Sequence, residues 1–553
     1  MNTKRGRMFK DAAWVAAGVA TALVVLLFAI SFTRTLPEAT PGRGLLERAG
    51  TPGAPYGGTL TVVRSSEPQT LNPLLAVDSW SLFVLSQVYN SLFTNDVDCA
   101  TVPDLVRSWK RSQDGLVWTF YLRRNVKWHD GAELTSSDVE FTYRSLLDPR
   151  VGSPRRAAFA FASGTLDVRA VDRYTVRMTL PGPVANLIPR LTVPILPEHL
   201  FAGTDIHASP YNERPVGTGP FAFESWDHGR RLTFRAFPDY FEGRAYVDRL
   251  QFDFQPDPSR RVDMLVEGEA DAGWVAAPFY ERVAQCPDLR TYRFDTYMID
   301  MLGFNVMVPA LHDPRTRQGI ACLIDRQGLI NGPLAGVPRS CQSFYSPLSP
   351  FYAPPARQYE NDPRRAAELL QAAGWSRDGG GWVDSAGQPL ALTIMVAREG
   401  CERALAAQYV CDSLRSCGID ARVLTVPEGE MLRCLGDGSF EAAVFGMLTT
   451  PNPDHSTSWR SSARPPAGMN VFNLDSHEVD RLLDEGLAAR NADEQHRIYA
   501  ELQRRLMEEM PAVPLYLHTS VFCVNRRVVT PFAPSAGGEM LYAARWYLEG
   551  PRE

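Results

Sequence analysis

Gly217-Thr218-Gly219-Pro220-Phe221-Ala222 has the loose spacing G-x-G-x-x-A of a dinucleotide fingerprint. In that fingerprint the glycines open a helix whose N-terminus holds a pyrophosphate. Here Pro220 leads into FAFESW, whose alternation is that of a strand, so the glycines read as a tight turn where the backbone approaches something closely. Other routes to chemistry are scarcer. No G-x-S-x-G elbow, H-E-x-x-H or C-x-x-C is present, and none of the four lysines (Lys4, Lys10, Lys110, Lys127) follows a glycine, which excludes a Walker loop. The nine histidines never fall at the i, i+4 spacing that places two metal ligands on one helix face. Carboxylate pairs such as Asp295 with Asp300, or Glu428 with Glu430, read as solvated surface in a chain with 63 acidic residues. Trp80, Trp226, Trp274 and Trp459 lie near turn-forming residues, where they would line a cleft or pack a core. The reading is of a protein that binds rather than catalyses, with no metal and no cofactor.

At 553 residues the chain is long enough for several lobes with an ample core. Its composition, 45% hydrophobic and 22% charged, is that of a globular protein. The formal charge is minus six. Lys4, Arg5, Arg7 and Lys10 against Asp11 give the first 33 residues plus three, leaving minus nine for the rest. An acidic body has no global electrostatic reason to bind nucleic acid. Ala12 to Phe32 is a run of 21 residues without a charge, long enough to cross a hydrocarbon core of about 30 Å. Its basic leader stays cytoplasmic by the positive-inside bias, so the chain beyond Phe32 is exported. The run is longer than a signal-peptide core and lacks an A-x-A cleavage site, which favours an uncleaved anchor at residues 1–33. Residues 34–56, rich in Pro and Gly, read as a tether. Nine cysteines in an oxidising compartment suggest one or more disulfides, with at least one thiol left over.

The elements that position these residues alternate between strand and helix, which predicts an α/β or α+β body. Strands are expected over 59–63, 118–122, 174–180, 231–237, 250–254, 390–396, 421–426 and 513–524. Asp313-Pro314 and Asp362-Pro363 each place a capping acceptor before a proline at the first helical position, and Gly374 closes the second of these helices. Asn491 with Glu494, and Asp475 with Glu478, have the spacing of capping boxes.

Several of these segments together resemble the family 5 extracytoplasmic solute-binding proteins, the peptide- and nickel-type receptors of ABC importers. The carriers are Gly57-Gly58-Thr59-Leu60, Leu71-Asn72-Pro73-Leu74, and the block DLVRSWKRSQDGLVWTFYLRRNVKWHDGAELTSSDVEFT from Asp104 to Thr142. Further matches are Pro215 to Phe221, the run from Phe304 to Gly336 with Ile324-Asp325-Arg326-Gln327, Asp362 to Trp375, and Asp480 to Val528. The resemblance covers about residues 57 to 550. It implies a two-lobed α/β clamshell like the type II periplasmic binding proteins. Lobe 1 would take 57–300 plus 511–553, with an extra subdomain at about 93–212, and lobe 2 would take 301–510. The chain would cross between them near Met298 to Asn305 and Met510 to Tyr516.

In peptide-binding members of the family an acid pairs with the ligand's α-ammonium group, in the segment that here reads GMLTTPNPD from Gly446 to Asp454. The matching position is Thr450, with Asp454 the nearest remaining acid. Either Asp454 substitutes, its alternative role being a loop or helix cap, or the ligand is not a free peptide. The remaining contacts expected from the resemblance are Ser65 and Ser66, the backbone at Gly217, Thr218 and Gly219, Asn305, Asn452 and Asn470. The expected partners are an oligopeptide-like solute, ABC permease subunits and the membrane through the N-terminal segment. The protein would act as a monomer on the extracytoplasmic face. The competing reading is a membrane-tethered sensor coupled to a signalling partner.

Overall fold

The structure, a computed structural model, describes residues 51–550 apart from positions 52, 77, 98–99, 162–163, 183–186, 356–357, 399, 450–452, 466–467, 490 and 536–537. The apolar run 12–32 and most of the tether lie outside these, as do Cys99, Thr450 and Asn452. Among the described residues no helix is long and apolar enough to cross a membrane. The eight described cysteines are all free thiols, against the expectation of disulfides. Five of them are buried, where they serve as small apolar side chains.

The expected strands form, with ends shifted by a residue or so. Their burial follows their pattern: Val117–Leu122 alternates part-buried and buried positions, whereas Ala512–Asn525 is buried almost throughout and carries a nearly continuous apolar run. The main sheet runs in the order Phe221–Asp227, Arg231–Ala236, Arg249–Phe254, Thr59–Arg64, Ala272–Trp274, Ala512–Asn525, Leu289–Phe304, Ala442–Leu448, Ala391–Ala397, Asp420–Val426. The first five strands belong to one lobe and the last three to the other. The two long strands between them pair antiparallel, with Leu289 opposite Asn525 at one end and Gly303 opposite Ala512 at the other. Their ladder is interrupted twice close together, where Thr296, Tyr297 and Met298 face only His518 and where Leu515 has no residue opposite it. The first is a bulge, which bends and twists a strand pair locally.

Each lobe has its own core. One is built on the first strand, the helix Ser79–Val88 and a smaller four-stranded antiparallel sheet packed with the helix Ser136–Leu147. The other is built on the strands and helices between Ile299 and Leu517. The caps behave as the sequence suggests in three of four cases. Asp313 accepts from the Arg315 amide, Asp362 from Arg364 and Arg365, and Asn491 from Glu494. The fourth is displaced by one residue. Ser476, not Asp475, caps the helix His477–Ala488, because its hydroxyl reaches the Val479 amide.

Gly217 and Gly219 meet the requirement inferred from the sequence, a close backbone approach, but what they approach is another part of the same chain. Both lie against the end of the helix Ser79–Val88, and Gly219 N–H donates to the Val88 carbonyl at 2.8 Å. A methyl group at Gly217 would overlap that carbonyl oxygen, and one at Gly219 would come within 2.6 Å of the Val88 carbonyl carbon. Backbone cannot yield as a side-chain tip can, so Gly217→Ala should destabilise the protein by at least about 2 kcal/mol. Urea unfolding checks this; an unchanged midpoint would contradict the packing described.

Candidate functional site

Where the two lobes face each other across the crossing strands lies a cavity of about 250 Å³. Arg64, Ser65, Arg261 and Trp274 line it from one lobe, Glu402 and Arg403 from the other, and the strand segment His518 to Val521 and Asp300 complete it. Ser65 and Arg64 reach it because the first strand ends there. Glu402 and Arg403 reach it from the first turn of the helix Cys401–Ser416.

Asp300 lies on the crossing strand with no solvent exposure, and it organises the floor. Its Oδ1 accepts from Arg403 Nε at 2.6 Å and its Oδ2 meets His518 Nδ1 at 3.2 Å. Burial alone would raise the carboxyl pKa, but the Arg403 charge and the His518 hydrogen bond outweigh it and hold the group down at about 2. For His518 burial opposes the imidazolium, yet the hydrogen bond and charge of Asp300 win and its pKa is raised. Arg403 also donates to the Met298 sulfur at 2.9 Å, inside the bulge. One carboxylate thus fastens a helix of the second lobe to both crossing strands.

Further contacts also span the lobes, among them an Arg339–Asp295 ion pair at 2.6 Å. Glu402 Oε1 accepts from the Ala277 backbone N–H at 3.0 Å, and Asp454 Oδ2 stands 3.6 Å from Arg190.

The residues expected from the sequence divide unequally. Ser65 lines the cavity and Ser66 is exposed beside it. Asp454 precedes the short helix Ser456–Trp459, accepting from the Ser456 amide and hydroxyl at 3.0 and 2.5 Å, and it faces Arg190. Thr218 is buried, its hydroxyl donating to Asn90 at 3.0 Å, and His129 braces the flanking glycines through both ring nitrogens. Asn305 donates to the Gly438 and Phe440 carbonyls, and Asn470, with no exposure, to those of Arg460 and Leu474. These asparagines hold loops of lobe 2 together.

Asp300 corrects the sequence reading directly: it is a buried ion-pair centre, not solvated surface. Glu402, Arg403 and His518 carried no signal, since each is one charged residue in an ordinary helix or strand. The tryptophans did carry one. Trp274 lines the cavity and Trp80 packs beside it, with ring centroids 6.2 Å apart, whereas Trp459 is wholly buried in the lobe 2 core.

Comparison with known proteins finds relatives over most of the chain. Residues 100–468 match the family model described as bacterial extracellular solute-binding proteins, family 5 Middle. The oligopeptide-binding protein AppA of Bacillus subtilis is 25% identical over 504 residues, covering 89% of this chain and 92% of that protein. Di/tripeptide-binding protein 2 of Pseudomonas aeruginosa is 28% identical, covering 86% and 92%. Among solved structures, AppA of Bacillus subtilis in complex with a nonapeptide superposes with a TM-score of 0.83 at 23% identity, over 90% of this chain and 100% of that one. NikZ of Campylobacter jejuni in complex with Ni(L-His) gives 0.80 at 23% identity, over 88% and 99%.

The Asp300 cluster sets a pH window. The contribution of His518, whose pKa is raised on folding, is full below its unfolded pKa of about 6.5 and is lost as pH rises through the folded value. That of Asp300, whose pKa is lowered, is full above about 3.9 and is lost as pH falls toward about 2. Stability from this cluster should therefore peak between about pH 4 and 6.5. Asp300→Asn should cost on the order of 3 kcal/mol and flatten the decline above pH 6.5. Denaturant unfolding of wild type and variant at pH 5.5 and pH 8 checks both; parallel pH profiles would contradict the pairing.

Proposed function

Because the chain belongs to the bacterial extracellular solute-binding proteins of family 5, we propose that it captures an oligopeptide-like solute outside the cytoplasm and delivers it to the permease subunits of an ABC importer. The observation that carries this is the placement of the cavity: both lobes and both crossing strands contribute to its wall, so a solute held there touches every part that must move. A ligand favours closure only through contacts it makes in the closed state and lacks in the open one. Here those are the opposed faces of Arg64, Ser65 and Trp274 on one side and Glu402 and Arg403 on the other.

The hinge in this reading is the bulge at Thr296 to Met298 opposite His518, with lobe 1 at 57–300 plus 511–553 and lobe 2 at 301–510. Hinges of this kind confine their rotation to a few residues at the ends of elements. Asp454 is engaged with Arg190 and Ser456, which leaves Glu402 as the acid best placed for a ligand's ammonium group. Thr450 and Asn452 stay candidates on the resemblance alone. The apolar run 12–32 supports an anchor, which would keep the receptor beside its transporter at the reach of the tether.

Native mass spectrometry of freshly purified protein should show a bound population heavier by one small peptide-like solute, released on partial unfolding. A uniformly ligand-free protein that also ignores a mixture of di- to pentapeptides would contradict the peptide reading. Amino-terminal sequencing of the membrane-extracted protein should return the native start; a new terminus after residue 32 would rule out the anchor.

A further inference from the structure

The guanidinium of Arg64 is the one cavity-lining arginine head group without a hydrogen bond or ion pair among the described residues. Arg403 is paired with Asp300, and Arg261 donates to the Gln255 and Pro256 carbonyls at 2.8 Å each. Arg64 has no carboxylate within 4 Å and no side-chain hydrogen bond among the described residues, and its Nε is sealed from solvent without a partner. It sits instead in a corner of two indoles, 4.5 Å from the centre of Trp80 and 4.2 Å from that of Trp274, whose rings meet edge to face at 75°. The nearest countercharges are Glu539 and Asp78. Glu539 is taken by Trp274 Nε1 and the Ser520 hydroxyl, and Asp78 caps the Ser81 amide. Burial pushes the Arg64 pKa down to about 10, a sign of how poorly the charge is compensated.

A guanidinium has five N–H donors in a fixed fork, and leaving such a buried group unpaired is costly. Indole faces attract the cation but accept no strong hydrogen bonds, so the corner fixes its orientation while its fork stays unspent. The side not covered by the rings opens on the cavity, next to Ser65 and with Arg261 as a second positive charge. Glu402 lies on the opposite lobe.

We propose that Arg64 is the specificity-determining residue of the cleft, seating a carboxylate of the bound solute in the plane of its guanidinium, with Arg261 assisting and a cationic group of the solute turned toward Glu402. This rests on the cleft being the solute site, and it narrows the ligand to a small carboxylate-bearing molecule such as a short peptide with a free C-terminus. A bidentate carboxylate matches the planar fork, and a charged hydrogen-bond pair contributes roughly 10- to 100-fold in affinity.

The test is calorimetric titration of the full chain in detergent with dialanine, trialanine, their C-terminal amides, glutarate and inorganic phosphate. We expect the free acids to bind, the amides to bind at least roughly tenfold more weakly, and Arg64→Met to remove that difference. Arg64→Lys should recover only part of it, because an ammonium lacks the fork. The acid-to-amide ratio on wild-type protein needs no variant, so the proposal stands or falls even if Arg64→Met does not fold. Equal binding of acid and amide overturns the Arg64 assignment and leaves the receptor reading intact. Glutarate binding that Arg64→Met abolishes, with no peptide bound, supports the carboxylate site and overturns the peptide reading. Phosphate binding tighter than every carboxylate overturns the carboxylate class, and no binding by any probe overturns both.

Discussion

The pairing of two strands, Leu289–Phe304 with Ala512–Asn525, is the constraint on which the rest of the structure depends. It is the seam of a single sheet that runs through both lobes, so neither lobe can be placed without it. The ladder is regular except for two interruptions a few residues apart, at Thr296 to Met298 opposite His518 and at Leu515. The cavity and the ion pairs of Asp300 lie beside these interruptions. In a receptor that closes on its solute, interruptions of this kind are where a rotation between the lobes would be absorbed.

Around the bulge the chemistry is arranged by burial. Asp300 can be fully buried as a carboxylate because Arg403 and His518 answer its charge from two different elements. The cluster reports on assembly of the hinge region, since its partners come from the second lobe and from both crossing strands. The side of the cavity contributed by the first lobe is built the other way. Arg64 is held by aromatic rings that orient it without neutralising it, which leaves its hydrogen-bonding capacity for something else. Two cations lining the same cavity thus differ, Arg403 being paired within the protein and Arg64 not.

Much of the fold was legible in the sequence for local reasons. Strand spans came from alternation or apolar runs, and Asp313, Asp362 and Asn491 cap helices because a side-chain oxygen next to the first free amides has only one good use there. The miss at Asp475 is of the same origin: Ser476 offers the same chemistry one residue later. The site was less legible. The turn at Gly217 to Gly219 was rightly read as a close backbone approach, but sequence alone does not say whether a ligand or the chain's own Val88 carbonyl is approached. Asn305 and Asn470 were placed by resemblance, and their amides turn to loop carbonyls. Asp300, Glu402, Arg403 and His518 come together only through the sheet, from three separate elements far apart in the chain, and no local pattern announces them. Arg64 stood one residue from Ser65 and between two tryptophans in space, yet its meaning lies in what does not contact it.

The central claim is that the lobes close on a solute held at their seam. Small-angle scattering of the protein stripped of bound solute, and again after saturation with a binding peptide, measures this directly. A smaller radius of gyration with ligand is the predicted result, reversed when the ligand is dialysed away. An unchanged radius at demonstrated saturation would contradict closure about the bulge.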